Sequence, residues 1–199
     1  IPARLRARRG EARVEVLLNR ADGDGTWHAL LRNARRVRPG DTLAIEGSDA
    51  TARVLARPEG GTAILDFGTD PAALEAALAA GEMPLPPYIA RPSPRGADRE
   101  DYQTLFAARP GAVAAPTASL HFTPRLVQAL EARGVQRATV TLHVGAGTFL
   151  PVRDDDITKH KLHQEWCELT PEAAATVNAA RAEGRRILCC GTTALRLLE

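Results

Sequence analysis

Through the first third of the chain, apolar and polar residues alternate in short runs. The runs at 4–8, 13–18, 26–32, 42–46, 51–57 and 62–67 place every second side chain on a common face, the period of a half-buried strand. Turn-forming clusters separate several of them: Asp22-Gly23-Asp24-Gly25, Pro39-Gly40-Asp41 and Glu59-Gly60-Gly61. Six short strands at this spacing predict a small antiparallel β-barrel-like domain over residues 1–80. A helix follows the strands, with Asp70 as its cap, Pro71 at its first position, Leu74 and Leu78 on one face and Gly81 as its stop.

From residue 81 the pattern changes. Met83-Pro84-Leu85-Pro86-Pro87-Tyr88-Ile89 holds too many prolines for a helix and reads as a stiff, extended connection. Beyond it, strand patterns at 111–115, 138–144 and 186–190 alternate with helices. The helices start at Thr123-Pro124, Thr170-Pro171 and Thr193, and Gly134 and Gly184 end the first two. Strand–helix alternation of this kind predicts parallel strands joined by right-handed crossovers. The expected second unit is therefore an α/β domain over 81–199 with a mainly parallel sheet, and the whole is a two-domain α+β protein.

Composition narrows the class. An apolar share of 44% and a charged share of 25% belong to a globular chain able to bury a core. No apolar run approaches the roughly 20 residues that span a bilayer, and no basic-then-apolar leader opens the chain. Three cysteines, two of them adjacent, make no disulfide framework, and reduced thiols in a cytoplasmic protein fit better. Cys189 and Cys190 alternate across a strand and are expected in the core. Net charge is +2, but of 26 basic residues only Lys159 and Lys161 are lysines. Arginine's planar fork suits phosphate oxygens, although an arginine-favouring genome gives the same count. A start at Ile1 without methionine, and an end at Glu199 inside a helix pattern, read as a fragment trimmed at both ends.

Candidate chemistry gathers where each strand of the second unit ends, the place where open parallel sheets bind ligands. The first such segment contains Pro116, Thr117 and His121, the second His143, Gly145, Gly147, Thr148 and Phe149, and the third Gly191, Thr192 and Thr193. Gly145-Ala146-Gly147 either brings backbone N–H groups close to a ligand or makes a tight turn. Gly191-Thr192-Thr193 either faces an anion or caps its helix. His143 and His121 can exchange protons near neutral pH, or be structural. His160, His163 and Glu165 do not share one face on either a helix or a strand, so a metal site is not expected there. Arg4, Arg6 and Arg8 line one face of a strand, and Arg35 and Arg36 belong to a second basic stretch. Both stretches fit a nucleic-acid backbone or a solvated face.

Read in order, several segments resemble one family. They are Gly81-Glu82-Met83-Pro84-Leu85-Pro86-Pro87-Tyr88-Ile89 with Asp101-Tyr102-Gln103-Thr104; Gly111-Ala112-Val113-Ala114-Ala115-Pro116-Thr117-Ala118 with Leu120-His121-Phe122-Thr123; and Val140-Thr141-Leu142-His143-Val144-Gly145-Ala146-Gly147-Thr148-Phe149 with Pro151-Val152. His160, His163 and Glu165 follow, then Gly191-Thr192-Thr193 with Arg196, Leu198 and Glu199. This series is similar to the S-adenosylmethionine:tRNA ribosyltransferase-isomerases, loosely over 1–80 and tightly from 81 onward. Ser119 stands where the family usually has glycine, Leu150 where glutamine is common, and Lys161 where a hydrophobic residue is usual.

The resemblance implies an enzyme that transfers the ribosyl part of S-adenosylmethionine to 7-aminomethyl-7-deazaguanine at the tRNA wobble position and isomerises it. The product is epoxyqueuosine, with adenine and methionine released. S-adenosylmethionine is a consumed cosubstrate and no metal is required. A proton beside the sulfonium must be removed, and the leaving adenine must be stabilised. The implied proton carriers are His143 or His121 for one transfer and Glu165 or His163 for another. Pro116, Thr117, Gly145, Gly147, Thr148, Phe149, Thr192 and Thr193 are expected to hold the cosubstrate, and Arg4, Arg6, Arg8, Arg35 and Arg36 the tRNA. A cytoplasmic monomer without membrane contact completes the expectation. The rival readings are a non-catalytic tRNA-binding protein on the same fold and an unrelated nucleotide-using α/β enzyme.

Overall fold

The computed structural model describes residues 1–58, 61–86, 88–89, 95–149 and 164–199. Six strands form the first part: β1 (Arg4–Arg9), β2 (Ala12–Gly23), β3 (Thr26–Arg32), β4 (Thr42–Ile45), β5 (Thr51–Ala56) and β6 (Thr62–Asp66). Five match the expected runs to within about one residue at each end, whereas β2 continues past its expected end at Leu18 to Gly23. All pair antiparallel, in the order β1-β2-β3-β6-β5-β4, and β4 returns to β1 to close a barrel. Closure leaves no open sheet edge.

The alternation along each strand builds the core. Leu5 and Ala7 on β1, Val14, Val16 and Leu18 on β2, Leu43 and Ile45 on β4, Ala52 and Val54 on β5, and Ala63 and Leu65 on β6 all point inward and are buried. The β2–β3 hairpin turns through Asp24 and Gly25, with φ of 48° and 76°, the left-handed pair that a two-residue hairpin loop needs. A side chain at Gly25 would also meet the Gly68 carbonyl at 1.8 Å. The loop before β4 is tied to β1 through Asp41, which accepts from Arg9 Nε at 2.5 Å and from the Arg38 N–H at 2.7 Å. Those two bonds hold its carboxyl below the usual carboxylate range.

Helix α1 (Pro71–Ala80) follows as expected. The Asp70 carboxylate accepts from the Ala72 N–H at 3.0 Å, and Leu74, Ala77 and Leu78 pack on the barrel core. Gly81 ends the helix, and Arg99 of the short helix α2 (Asp98–Asp101) donates to the Ala79 and Gly81 carbonyls at 2.7 and 2.9 Å. These bonds satisfy carbonyls that a helix end leaves open.

Beyond α2 the architecture departs from the expectation. Helices α3 (Pro124–Ala132) and α4 (Pro171–Ala182) form where the caps predicted, with Thr123 and Thr170 each accepting from the N–H three residues on. Helix α5 (Gly191–Leu198) starts two residues earlier than expected. The only strand pairing here among the described residues is antiparallel: β7 (Thr141–His143) with β8 (Trp166–Glu168). Residues 111–115 are turn and bend, and residues 186–190 carry no ladder. The mainly parallel sheet is therefore not formed among the described residues. A parallel sheet needs cover on both faces, whereas Ile187 is 41% and Leu188 86% exposed. The same lack of cover leaves Cys189 exposed and Cys190 only half-buried, contrary to the expected core positions, and all three cysteines are free thiols.

The barrel gives the first stability test. Leu65 is fully buried, whereas Leu55 on neighbouring β5 is 44% exposed. Leu65→Ala is expected to cost about 2–5 kcal/mol in urea unfolding through lost burial and a cavity. Leu55→Ala is expected to stay within about 0.5 kcal/mol. Equal costs at the two positions would contradict the inside–outside assignment.

Candidate functional site

Three chain segments meet at one cavity of about 710 Å³. The 3-10 turn Thr117–His121 and the residues before it supply Ala115, Pro116 and Thr117. The loop after β7 supplies Val144 and Thr148, and the start of α5 supplies Gly191, Thr192 and Thr193. The segments are stitched together by short contacts. Val113 and Ala114 both donate backbone N–H to the Val144 carbonyl, at 2.8 and 3.2 Å. Ser119 Oγ lies 3.6 Å from Cys190 Sγ. Ser119, which replaces a usual glycine, is buried there without a positive φ, so its side chain brings no backbone strain.

Of the residues singled out in the sequence, Pro116, Thr117, Thr148, Thr192 and Thr193 line this cavity together. Thr192 and Thr193 do not cap α5, because the cap position is Cys190, whose side chain makes no capping bond to the helix. They occupy the first helical turn, where N–H groups without helical partners favour an anion. The wall also contains Tyr88 and Tyr102, the only two tyrosines of the chain. Burial raises the Tyr102 phenol pKa, against a hydrogen bond to the Ala115 backbone and with a further rise from Tyr88. Sequence reasoning assigned neither tyrosine a role, although both stand in the motif segments. Their pairing across the proline-rich connection was the missing signal.

Gly145 and Gly147 do not line the cavity, and two amides of their loop are committed internally. The Gly145 N–H donates to Glu165 Oε1 at 3.0 Å and the Ala146 N–H to Asn19 Oδ1 at 2.6 Å. Phe149 closes the 3-10 turn Ala146–Phe149. Glu165 is 10% exposed, and its other oxygen accepts from Arg196 Nη1 at 2.9 Å, so both oxygens are occupied.

His143 sits behind the cavity wall, next to Val144. Its ring packs on Trp166 with centroids 4.6 Å apart, and a side chain on Gly111 would strike it at 2.2 Å. Gly111 is thus the residue that makes room for the imidazole. Nε2 is buried with no hydrogen-bond partner among the described residues. Burial, with the positive charges of the Ile1 ammonium and Arg109, lowers the His143 pKa below its ordinary 6.5. His121 is exposed at the end of its turn, away from the cavity lining. His163, like His160, lies outside the described residues. Among the described residues no cluster of three His, Cys, Asp or Glu has metal-binding geometry.

The arginines divide into two kinds. Arg4, Arg6 and Arg8 project from the outer face of β1, as the alternation predicted, but each has a carboxylate partner. Arg4 Nε is 3.6 Å from Glu15, Arg6 is 2.6 Å from Glu82 and Arg8 is 2.6 Å from Glu46. Arg35 and Arg36 are exposed in the turn after β3 and pair with no carboxylate among the described residues. No described helix is long and apolar enough to cross a membrane.

Comparison with known proteins places this geometry in a family. A family model described as queuosine biosynthesis protein matches residues 1–199. A relative from Gluconacetobacter diazotrophicus is 59% identical over 201 residues, covering 100% of this chain and 57% of its own length. One from Acidiphilium cryptum is 57% identical over 202 residues, covering 100% of this chain and 59% of its own. Both carry the name S-adenosylmethionine:tRNA ribosyltransferase-isomerase. A crystal structure titled S-adenosylmethionine tRNA ribosyltransferase, from Thermotoga maritima, is 29% identical over 94% of this chain and 46% of that one, with a TM-score of 0.34. The chain spans less than two thirds of the length of these curated relatives. A match along every residue, at identities above one half, makes the chain a member of the queuosine biosynthesis protein family.

Proposed function

We propose that this chain carries the cosubstrate site of a cytoplasmic S-adenosylmethionine:tRNA ribosyltransferase-isomerase. The enzyme transfers the ribosyl part of S-adenosylmethionine to 7-aminomethyl-7-deazaguanine in tRNA and isomerises it, giving epoxyqueuosine and releasing adenine and methionine. The observation that carries the reading is the cavity where three separate motif segments meet two tyrosines. The names of the relatives give S-adenosylmethionine, tRNA, ribosyl transfer and isomerisation, and the family resemblance implies the base acted on and the products released.

The cavity falls within the roughly 300–1,000 Å³ of small-molecule sites. The tyrosines offer aromatic faces to the adenine. Thr192 and Thr193, in the first turn of α5, offer donors to the carboxylate of the methionine part. His143 is the proposed base for the proton beside the sulfonium, with its lowered pKa keeping the imidazole neutral. His121 is the alternative for that transfer, and His163 or Glu165 serves the other, with Glu165 the less favoured because both its oxygens already accept hydrogen bonds. The division into a barrel-like unit over 1–80 and a catalytic unit over 81–199 belongs to the same proposal, as does a mainly parallel sheet in the whole protein. Action as a monomer belongs to it too. The unpaired Arg35 and Arg36 are the tRNA contacts best supported by charge, ahead of the carboxylate-paired Arg4, Arg6 and Arg8.

Full-length protein mixed with S-adenosylmethionine and tRNA bearing the aminomethyl-deazaguanine base is expected to release adenine only when both are present. Binding of tRNA without adenine release would instead support the non-catalytic reading. His143→Gln is expected to lower kcat by about 10²–10⁴-fold, the usual contribution of a positioned base. Wild-type turnover in that variant would remove His143 from the mechanism.

The pH dependence has a definite sign. A base that works neutral, with its pKa lowered from 6.5, puts the midpoint of the acidic limb of kcat/KM below pH 6.5. Folding stability follows the same direction. Below pH 6.5 the unfolded histidine takes up a proton that the folded one resists, so stability falls as pH drops. An acidic limb above pH 6.5 would contradict this.

Replacing Arg35 or Arg36 with alanine is expected to reduce the slope of log affinity for tRNA against log salt by about 1 each. An unchanged slope would place the tRNA elsewhere.

A further inference from the structure

The alternation along β2 breaks at one residue. Leu18 pairs with Ala29 and Arg20 with His28, so two steps on β2 face one step on β3 and Asn19 is the extra residue. A bulge of this kind bends the strand and re-aims a side chain. Here it directs Asn19 out of the barrel wall to the loop after β7, where Oδ1 accepts the Ala146 N–H at 2.6 Å. Ala146 itself is fully buried and belongs to the same hydrophobic cluster as Leu5, Val16 and Leu18. The preceding N–H, on Gly145, is taken by Glu165 from the other side, and Glu165 is held in turn by Arg196 of α5. A Cβ at position 145 would lie 2.6 Å from Asn19 Oδ1, so glycine is needed for the approach.

We propose that Asn19 is a positioning residue for the cosubstrate cavity. With Glu165 it clamps two successive amides of the loop, and so sets Val144 and Thr148 at the cavity wall against the α5 terminus. The barrel thereby acts as the anvil on which the site is shaped. This proposal rests on the assignment of the cavity to S-adenosylmethionine, but the clamp itself has a test that needs no substrate.

That test is amide hydrogen exchange in the full-length protein. In Asn19→Ala the Ala146 amide loses its acceptor, and its exchange is expected to speed up about tenfold, the scale of one buried hydrogen bond. Asn19→Asp keeps an acceptor oxygen in place and is expected to restore protection. In turnover, Asn19→Ala is expected to raise KM for S-adenosylmethionine about tenfold while leaving KM for tRNA unchanged, with Asn19→Asp close to wild type. Unchanged Ala146 exchange in Asn19→Ala would overturn the clamp. A fall in kcat with both KM values unchanged would reduce Asn19 to a structural residue and overturn its positioning role. If wild-type protein releases no adenine, the cosubstrate assignment fails by itself, and the exchange measurement still decides the clamp.

Discussion

Closure of the six-stranded sheet is the constraint on which the remainder rests. A flat sheet of these strands would leave two rows of unpaired backbone groups and only one covered face. Pairing β4 with β1 removes both edges and turns every inward residue toward one core. That core then serves more than the barrel. Val113 and Ala146, from segments far along the chain, insert into the same cluster, and Glu82 forms a bridge with Arg4 at the barrel's edge. The site is thus assembled against the wall of the closed barrel.

The loops themselves are held mostly by polar contacts. Glu165 joins the loop after β7 to α5, Asn19 joins that loop to the barrel, and Gly111 yields space to His143. This explains why a site with little regular sheet around it still has a defined wall. It also separates two kinds of titratable side chain. A carboxylate with both oxygens occupied, such as Glu165, orients its neighbours, whereas an imidazole with an unpartnered buried nitrogen, such as His143, has a free atom with which to move a proton.

The charged surface follows the same logic of partnership. Three arginines on β1 share a face, yet carboxylates from β2, from the turn after β4 and from the connection after α1 meet them one by one. Charge spacing along one strand therefore overstates the field it projects. Arg35 and Arg36, exposed and with no carboxylate partner among the described residues, are left to project theirs.

What the sequence determined by itself was local. The two-residue period marked all six barrel strands, Asp24-Gly25 marked the hairpin turn, and the Asp70, Thr123 and Thr170 caps marked three helix starts. The motif segments were legible too, because a short run of residue types carries them. Tertiary structure alone decided the rest. Strand patterns at 111–115 and 186–190 carry no ladder among the described residues, since a ladder needs a neighbour and both faces need cover, neither of which a strand encodes in its own residues. The pairing of β3 with β6 and the meeting of Tyr88 with Tyr102 at the cavity lay beyond any local pattern. So did the bond from Asn19 to a residue 127 positions away. Periodicity and capping act within one turn of chain, whereas these contacts exist only after the barrel has closed and brought distant segments onto one surface.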